Sequence, residues 1–230
     1  MKKIASGLAA AFLSFATPVW AQDSPVVVEL FTSQGCSSCP PADAMLHELA
    51  VRDDVIAIAL HVDYWDYIGW KDEFADPAYA KRQRKYARVG GRRSVYTPQM
   101  IVNGQTDIVG AKAMKLSAAI AAHAAQPMPV AVSLTRSGDT VQIKADAQSA
   151  GSYVVQLLRY QPLRESRITR GENAGQTLKY ANVAQDWQEL AQWNGQSALT
   201  LTAPAPGDAA IVVLVQHDKL GPIVGAARLR

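Results

Sequence analysis

The feature that most constrains this chain is a Cys-x-x-Cys pair placed between a strand and a helix. Residues 26–31 are β-branched and apolar, which predicts a buried strand that ends in a polar turn. Cys36 and Cys39 follow, and apolar residues then recur at spacings of three and four up to residue 50, which indicates one face of a helix. A second apolar run at residues 55–62 predicts another buried strand. The order of strand, short helix and strand predicts two parallel strands with a right-handed crossover.

Cys36 and Cys39 are the only two cysteines of the chain, so we expect this pair to be able to close into an internal disulfide. A helix N-terminus favours a thiolate over a thiol through its dipole and its free backbone amides. We therefore predict that Cys36, at the solvent-facing end of the loop, is the nucleophile, and that the less exposed Cys39 resolves the mixed disulfide. The alternative is a structural cross-link, although closing so short a loop contributes only about 2 kcal/mol.

The first 21 residues have the pattern of a signal peptide. Two lysines precede an apolar run, and residues suited to a signal peptidase stand before residue 22. Gly7, Ser14 and Pro18 interrupt the run, which argues against a membrane anchor. We expect export to the periplasm or medium, where disulfides persist, and no stable membrane span after cleavage. Cleavage removes two of the 23 basic residues, and the remaining basic residues nearly equal the 20 acidic ones in number. The net charge therefore gives no support for a nucleic-acid partner.

Three features follow the second predicted strand. Residues 63–76 hold many aromatic side chains without a clear period, which indicates a functional or packing loop. After Pro77 comes a helix with many basic side chains, which we interpret as a solvated face, with an anion site as the alternative. Thr97 and Pro98 then open a loop that feeds a strand and a hairpin turn.

The character of the chain changes near residue 127. An alanine-rich helix is broken by the segment Gln126-Pro127-Met128-Pro129, and short alternating strands with turn signals follow it. The sequence therefore predicts an α/β domain at residues 22–126 and a smaller, mostly β, sandwich-like domain at residues 127–230. The segment 182–193 fits a helix and an irregular strand equally well.

Four segments carry a family resemblance: ELFTSQGCSSCPPAD at residues 29–43, HVDYWD at 61–66, SVYTPQM at 94–100 and GENAG at 171–175. They resemble a family of secreted bacterial proteins known as a domain of unknown function with a thioredoxin-like fold. The order of strand, Cys-x-x-Cys, helix, strand and Thr-Pro loop is also similar to that of thioredoxins. The resemblance implies that the first domain is thioredoxin-like.

The resemblance also implies roles for individual residues. Cys36 and Cys39 take the redox positions, and Pro98 takes that of the cis-proline that faces the cysteines. Thr97 then offers backbone groups to an extended partner, in the manner of strand addition. Gly35 stands where thioredoxins carry tryptophan, and this departure leaves the substrate and the direction of electron flow open.

Glu29 lies on the strand that precedes the cysteines. Thioredoxins keep a buried acid there for proton exchange with the second cysteine, but the spacing from Glu29 to Cys36 is one residue longer. Two interpretations stay open, a proton relay and a carboxylate paired with a nearby Arg or Lys.

These observations favour an exported thiol–disulfide oxidoreductase that acts on protein thiols or disulfides of the cell envelope, without a cofactor or a resident metal. One alternative is a copper carrier in which His61 or Met100 joins the cysteine pair. Another is a non-catalytic binding module whose disulfide stays closed.

Overall fold

The computed structural model describes residues 24–230, so the predicted signal peptide at residues 1–21 lies outside the described residues. The described part contains three α-helices: α1 (Pro40–Ala50), α2 (Pro77–Val89) and α3 (Ala113–Ala124). It contains eleven β-strands: β1 (Val26–Thr32), β2 (Val55–His61), β3 (Gln99–Val102), β4 (Thr106–Val109), β5 (Val130–Ser137), β6 (Thr140–Ala147), β7 (Tyr153–Arg167), β8 (Thr177–Trp193), β9 (Leu199–Pro204), β10 (Ala210–His217) and β11 (Ile223–Leu229). Short 3₁₀ helices span Asp66–Ile68 and Asp218–Leu220.

The strands form two sheets. The larger sheet has eight strands in the order β11-β10-β7-β8-β2-β1-β3-β4, and the smaller has three in the order β5-β6-β9. β2 runs parallel to both β1 and β8, whereas the other neighbours in the large sheet are antiparallel. The parallel pair β1 and β2, joined through α1, agrees with the strand, helix and strand unit that the hydrophobic pattern predicted.

The predicted fold class, a thioredoxin-like α/β domain followed by a smaller sandwich-like β domain, is wrong. Strands predominate in the described residues, and the eight-stranded sheet draws on both halves of the chain. β8 pairs with β2 through Val183 and Ala59, so strands from beyond residue 127 extend the sheet that begins with β1. Hydrophobic alternation identifies a strand but not its neighbours, and for this reason the pattern assigned each half a sheet of its own. Residues 182–193 belong to β8, and the division of the chain at residue 127 into two folding units stays a prediction.

β1 is buried along its whole length because the sheet is covered on both faces. Leu30 packs in a core with α1 and α3, and Phe31 packs on the opposite face in a core that includes α2 and β10. A third core fills the space between the small sheet and β7, β10 and β11. Successive strand side chains point to opposite faces, so Glu29 shares the face of Phe31 and Thr32 shares the face of Leu30.

Three loops meet at one edge of the large sheet. Thr32 and His61, the last residues of the parallel strands β1 and β2, are opposite each other. Phe31 is opposite Gln99, the first residue of the antiparallel strand β3. The segments that leave β1 and β2 therefore converge with the segment that enters β3, and this places the Cys-x-x-Cys pair, the loop at 63–76 and Thr97-Pro98 at the same edge.

Candidate functional site

Cys36 and Cys39 are joined in a disulfide, with their Cα atoms 5.4 Å apart. A turn holds them in place, since the Cys36 amide donates to the Ser33 carbonyl and the Cys39 amide donates to the Cys36 carbonyl. Cys39 is the N-cap residue of α1, and the helix begins at Pro40. The structure therefore brings the two cysteines together at the start of the helix, as the sequence pattern predicted.

Free backbone amides at the start of α1 stabilise a cysteine thiolate less than the sequence suggested. The first two helical positions are Pro40 and Pro41, which have no backbone N–H. The next amide, that of Ala42, donates to the carbonyl of Cys39 at 2.8 Å. Stabilisation of a thiolate here therefore rests on the helix dipole and on groups outside the helix.

Both cysteines are buried: Cys36 is 1% exposed and Cys39 is 0% exposed. The sequence placed Cys36 at the solvent-facing end of a loop, and that expectation is wrong. Gly35 lies under the loop at residues 63–76, where a Cβ atom would come within 3.1 Å of Trp65 and of Ile68. Ser37 and Ser38, which lie between the two cysteines, are exposed, so the backbone around the disulfide reaches the surface although its sulfurs do not.

Residues 168–176, which connect β7 to β8, cover the disulfide from the other side, and we call them the cover loop. The side-chain amide of Asn173 donates to the carbonyl of Gln34 at 2.8 Å and to that of Cys36 at 3.1 Å. The Glu172 carboxylate accepts hydrogen bonds from the amide and the hydroxyl of Ser37, at 3.2 and 2.6 Å. These bonds lower the pKa of the exposed Glu172 carboxyl. The cover loop contains the GENAG segment that the sequence resemblance included, and its contact with the cysteines was not predicted.

Thr97 and Pro98 lie at the same sheet edge, and the peptide bond between them is cis. Pro98 is buried and Thr97 is half-buried. The indole N–H of Trp65 donates to the Thr97 hydroxyl at 2.7 Å, and the same Trp65 packs beside Gly35. The loop at residues 63–76, hereafter the aromatic loop, therefore bridges Thr97 to the segment that carries the cysteines.

Glu29 lies on the face of β1 opposite α1. Its carboxylate accepts from the Arg82 guanidinium at 2.6 Å and from the Tyr86 hydroxyl at 2.6 Å, and all three groups are buried. The same guanidinium donates to the side-chain carbonyls of Gln156 and Gln216. Of the two interpretations that the sequence left open for Glu29, these contacts favour the structural ion pair.

A second buried carboxyl was missed by the sequence reasoning. Asp43 lies one helical turn after Cys39 on α1 and is 5% exposed. Neither of its carboxyl oxygens has a hydrogen-bond partner within residues 24–230. A buried acid without such bonds is unusual, because burial without compensation disfavours the charged form. An acidic residue beside the apolar positions of a predicted helix was the available signal, and it also fits an ordinary first-turn acid.

Four buried side chains surround Asp43 and form, together with it, what we call the His61 cluster: Thr32, Asp43, His61, Asp72 and Tyr180. The Nδ1 atom of His61 lies 2.8 Å from an Asp72 carboxylate oxygen, and the Tyr180 ring packs edge-on against the imidazole at 4.7 Å. In the described part of the chain, the Nε2 atom of His61 and the hydroxyls of Thr32 and Tyr180 have no hydrogen-bond partner. The cluster is therefore a group of buried polar side chains with unused donors and acceptors, and its member Asp43 lies one helical turn after Cys39.

Burial raises the pKa of Asp43 to about 7. The neighbouring His61 and the Thr32 hydroxyl oppose this rise, whereas the Asp72 carboxylate adds to it. Burial also raises the pKa of the Tyr180 hydroxyl, so this group stays protonated. With a pKa of about 7, Asp43 can gain or lose a proton at neutral pH.

The donor set for a metal ion is incomplete in the described structure. No group of three or more His, Cys, Asp and Glu side chains in residues 24–230 is arranged to hold a metal ion. Met100 packs in the core beside Leu30, and His61 Nδ1 is engaged with Asp72. Among the described residues, neither contact places a third ligand beside the cysteine pair, and the copper carrier stays a prediction. Within the same residues, no helix combines the length and the hydrophobicity needed to cross a membrane.

The fold and the site define a predominantly β protein whose Cys-x-x-Cys disulfide lies at the start of a helix, beneath two loops. Residues 27–216 match the family described as "Protein of unknown function (DUF1223)", and the chain belongs to that family. This match confirms the predicted membership in a family of unknown function. No curated protein matches the chain.

Two solved structures are similar to this one. A protein from Agrobacterium tumefaciens, a structural-genomics target, is 34% identical, with 91% of this chain and 96% of that chain covered and a TM-score of 0.78. HBP35 of Porphyromonas gingivalis is 14% identical, with 90% of this chain and 74% of that chain covered and a TM-score of 0.60. The second likeness concerns the fold alone.

Proposed function

We propose that this protein is an exported thiol–disulfide oxidoreductase that exchanges its Cys36–Cys39 disulfide with protein thiols of the cell envelope. The observation that carries the proposal is the position of Asp43, a buried carboxyl without hydrogen bonds, one turn beyond Cys39. A protonated acid there is suited to a thiolate that forms in a buried place. A closed disulfide is compatible with the oxidising compartment that export implies.

The exchange begins with a displacement at sulfur. A partner thiolate attacks Sγ of Cys36, the new S–S bond forms, and the Cys36–Cys39 bond breaks with its electron pair on Cys39. Protonated Asp43 donates its proton to that sulfur and becomes a carboxylate. A second thiolate of the partner then attacks the mixed disulfide, which leaves the partner oxidised and Cys36 as a thiolate. The reverse sequence oxidises the protein, with Asp43 as the acceptor of the Cys39 proton.

Access to Cys36 requires movement of the loops around it. The sulfur is buried, whereas the hydrogen bonds from Ser37 to Glu172 are exposed to solvent. Exposed hydrogen bonds exchange readily with water, so the cover loop is the element expected to open. Thr97 lies at the edge of the same site, and its backbone is the proposed contact for an extended partner segment.

Burial of the disulfide also favours a second candidate, a binding module whose disulfide stays closed. Both sulfurs are shielded, and Asn173 ties the cover loop to the Cys36 carbonyl. A shielded disulfide of low reduction potential resists the thiols of its compartment. In this case the Cys-x-x-Cys pair fixes the loop, and partner recognition falls to the surface around it.

The reduction potential, measured by equilibration with glutathione mixtures and mass detection of the two forms, separates these candidates. A potential above about −250 mV supports exchange, whereas one below about −300 mV supports the closed module.

Single variants test the assigned roles of the two cysteines. In Cys39→Ser, the free Cys36 thiolate attacks an added disulfide-bonded peptide, forms a mixed disulfide with one peptide sulfur and releases the other as a thiol, whereas Cys36→Ser leaves only the more deeply placed sulfur. Equal mixed-disulfide yields from both variants would refute the assignment of Cys36 as the attacked sulfur.

A further inference from the structure

A cavity of about 330 Å³ lies on the far side of the large sheet from α1, between α2, the sheet and the 3₁₀ turn that follows β10. It is separate from the disulfide, and the proposed exchange reaction does not use it. Its volume falls at the lower end of the range for small-molecule sites. Its walls combine cationic side chains from two elements with the aromatic rings of Tyr79 and Trp187.

The cavity has an excess of positive charge. Lys81 and Lys85 enter its lining from successive turns of α2, and Lys219 enters from the 3₁₀ turn. None of these three ammonium groups pairs with a carboxylate among the described residues. Glu189 is the acidic side chain in the lining, so the cations outnumber it. Opposite charge lowers the energy of an anion in such a concave site.

Arg82 forms part of the cavity wall, but its own charge is already balanced. Its guanidinium bonds Glu29 beneath the cavity and donates to side-chain oxygens of Gln156 and Gln216. The free positive charge therefore belongs to the three lysines. Arg82 forms a rigid part of the cavity wall, because its hydrogen bonds hold the guanidinium in one orientation.

Trp187 supplies the apolar part of the wall. The indole is half-buried, and its N–H donates to the Gln156 side chain at 3.0 Å. The Arg82 guanidinium carbon lies 4.4 Å from the ring centroid, which holds the ring by a cation–π contact. Leu220 continues this apolar surface at the cavity rim. A ligand body that is aromatic or apolar fits such a wall.

The 3₁₀ turn at the rim has an unusual backbone. Lys219 and Leu220 are successive residues with positive φ, 56° and 62°. A leucine rarely adopts the left-handed region, and such conformations persist where surrounding contacts impose them. Here the Gln216 side chain donates to the Gly221 carbonyl at 2.8 Å, and the Gly221 amide donates to the His217 carbonyl at 3.2 Å. The strained turn places both side chains in the lining of the same cavity.

We propose that this cavity binds a small organic anion, with a carboxylate or phosphate group near Lys81, Lys85 and Lys219 and an aromatic body against Trp187. The lysine charges select the carboxylate or phosphate group of the ligand, and the Trp187 indole selects its aromatic part. Neither cysteine lines this cavity.

Benzoate and phenyl phosphate are suitable probes, and benzyl alcohol is the neutral control. Binding to the mature protein is measured at low ionic strength in a zwitterionic buffer, by titration of backbone amide NMR shifts. Saturable shifts with the anions, at residues of the lining, and weaker or absent shifts with benzyl alcohol are expected. Equal affinity for the anions and the alcohol, or no saturation with any probe, would overturn the proposal.

A matched pair of double variants assigns the binding to the cavity. Lys81→Gln with Lys85→Gln removes two charges that line it, whereas Arg84→Gln with Arg88→Gln removes two exposed charges of the same helix that do not. The first pair is expected to weaken probe binding at least about tenfold, since each nearby charge contributes on the order of half to one decade. The second pair is expected to change it less than twofold. Equal weakening by both pairs would reduce the effect to net charge and reject the site.

Discussion

At the scale of single residues, the site is distinguished by an acid that lacks the usual compensation. Glu29 and Asp43 are both buried, but Glu29 bonds two donors, whereas Asp43 has no hydrogen-bond partner within residues 24–230. Burial without hydrogen bonds favours the neutral carboxyl, and burial within an ion pair favours the charged one. The two carboxyls therefore have different uses: Glu29 stabilises the fold, and Asp43 is available to exchange a proton.

The raised pKa of Asp43 predicts a pH dependence of stability. In the unfolded chain this acid ionises near its ordinary pKa of 3.8, whereas in the folded protein it keeps its proton until about pH 7. The folded state therefore binds more protons between these values, so the contribution of Asp43 to stability falls as the pH rises through this interval and is constant above it. The resulting change in the free energy of unfolding is about a few kcal/mol at most.

Asp43→Asn tests this prediction. The free energy of unfolding is measured for both proteins by urea denaturation from pH 4 to 8. The wild type should lose stability as the pH rises to 7 because Asp43 ionises, whereas the variant should not show this loss. The stability of the variant relative to the wild type should therefore increase up to about pH 7. Glu48→Gln, an exposed acid on the same helix, is the control and should follow the wild type. A constant difference between Asp43→Asn and the wild type across this range would contradict the raised pKa.

At the scale of elements, the cover loop is hydrogen-bonded to the cysteine segment, and the proposed exchange requires it to open. It is closed on itself by hydrogen bonds between Ile168 and the residues 175 and 176, and it is tied to the cysteine segment by Asn173. Its contact with the aromatic loop is close, since a Cβ atom on Gly171 would lie 3.4 Å from Ile68. Opening this element breaks a few hydrogen bonds and leaves the sheet intact.

Asn173→Ala should therefore make the disulfide easier to reduce. The substitution removes two buried hydrogen bonds, and each contributes about 1 kcal/mol, so we expect reduction by dithiothreitol to accelerate about thirtyfold. Thiol release under pseudo-first-order conditions measures this rate. Asn194→Ala, in an exposed turn elsewhere, should leave it unchanged. The role of the cover loop is excluded if Asn173→Ala and the wild type are reduced at the same rate.

At the scale of the whole molecule, the Glu29 network connects distant parts of the chain. Through Arg82 it links β1 and α2 to Gln156 on β7 and Gln216 on β10. These groups are buried between the strands of the large sheet and α2. The network therefore couples the segment before residue 127 to the segment after it.

Glu29→Gln is expected to destabilise the protein by about 3–5 kcal/mol, because it leaves the buried charge of Arg82 without its partner. Chemical denaturation of the oxidised protein measures the loss. Glu165→Gln, which breaks an exposed pair with Lys179, should cost less than about 1 kcal/mol. A loss for Glu29→Gln no larger than for Glu165→Gln would show that the network does not stabilise the fold.

Much of the local structure was predictable from the sequence, and its assembly was not. The strand at residues 26–31, the helix that starts at Pro40 and the joining of Cys36 to Cys39 follow from local patterns. The neighbours of β2 do not, since Val183 reaches Ala59 across more than half of the chain. For the same reason, the contact of the cover loop with the cysteines and the burial of Asp43 could not be predicted. Burial of a short acidic side chain depends on which distant segments pack over it.

The pH dependence of disulfide exchange tests the proposed function most directly. The rate of reduction by glutathione, divided by the thiolate concentration, should be constant below about pH 7 and fall above it as Asp43 ionises and no longer protonates Cys39. In Asp43→Asn this inflection should vanish, with a rate at pH 6 lower by at least about tenfold, while Glu48→Gln should retain it. An Asp43→Asn profile that matches the wild type would contradict the account.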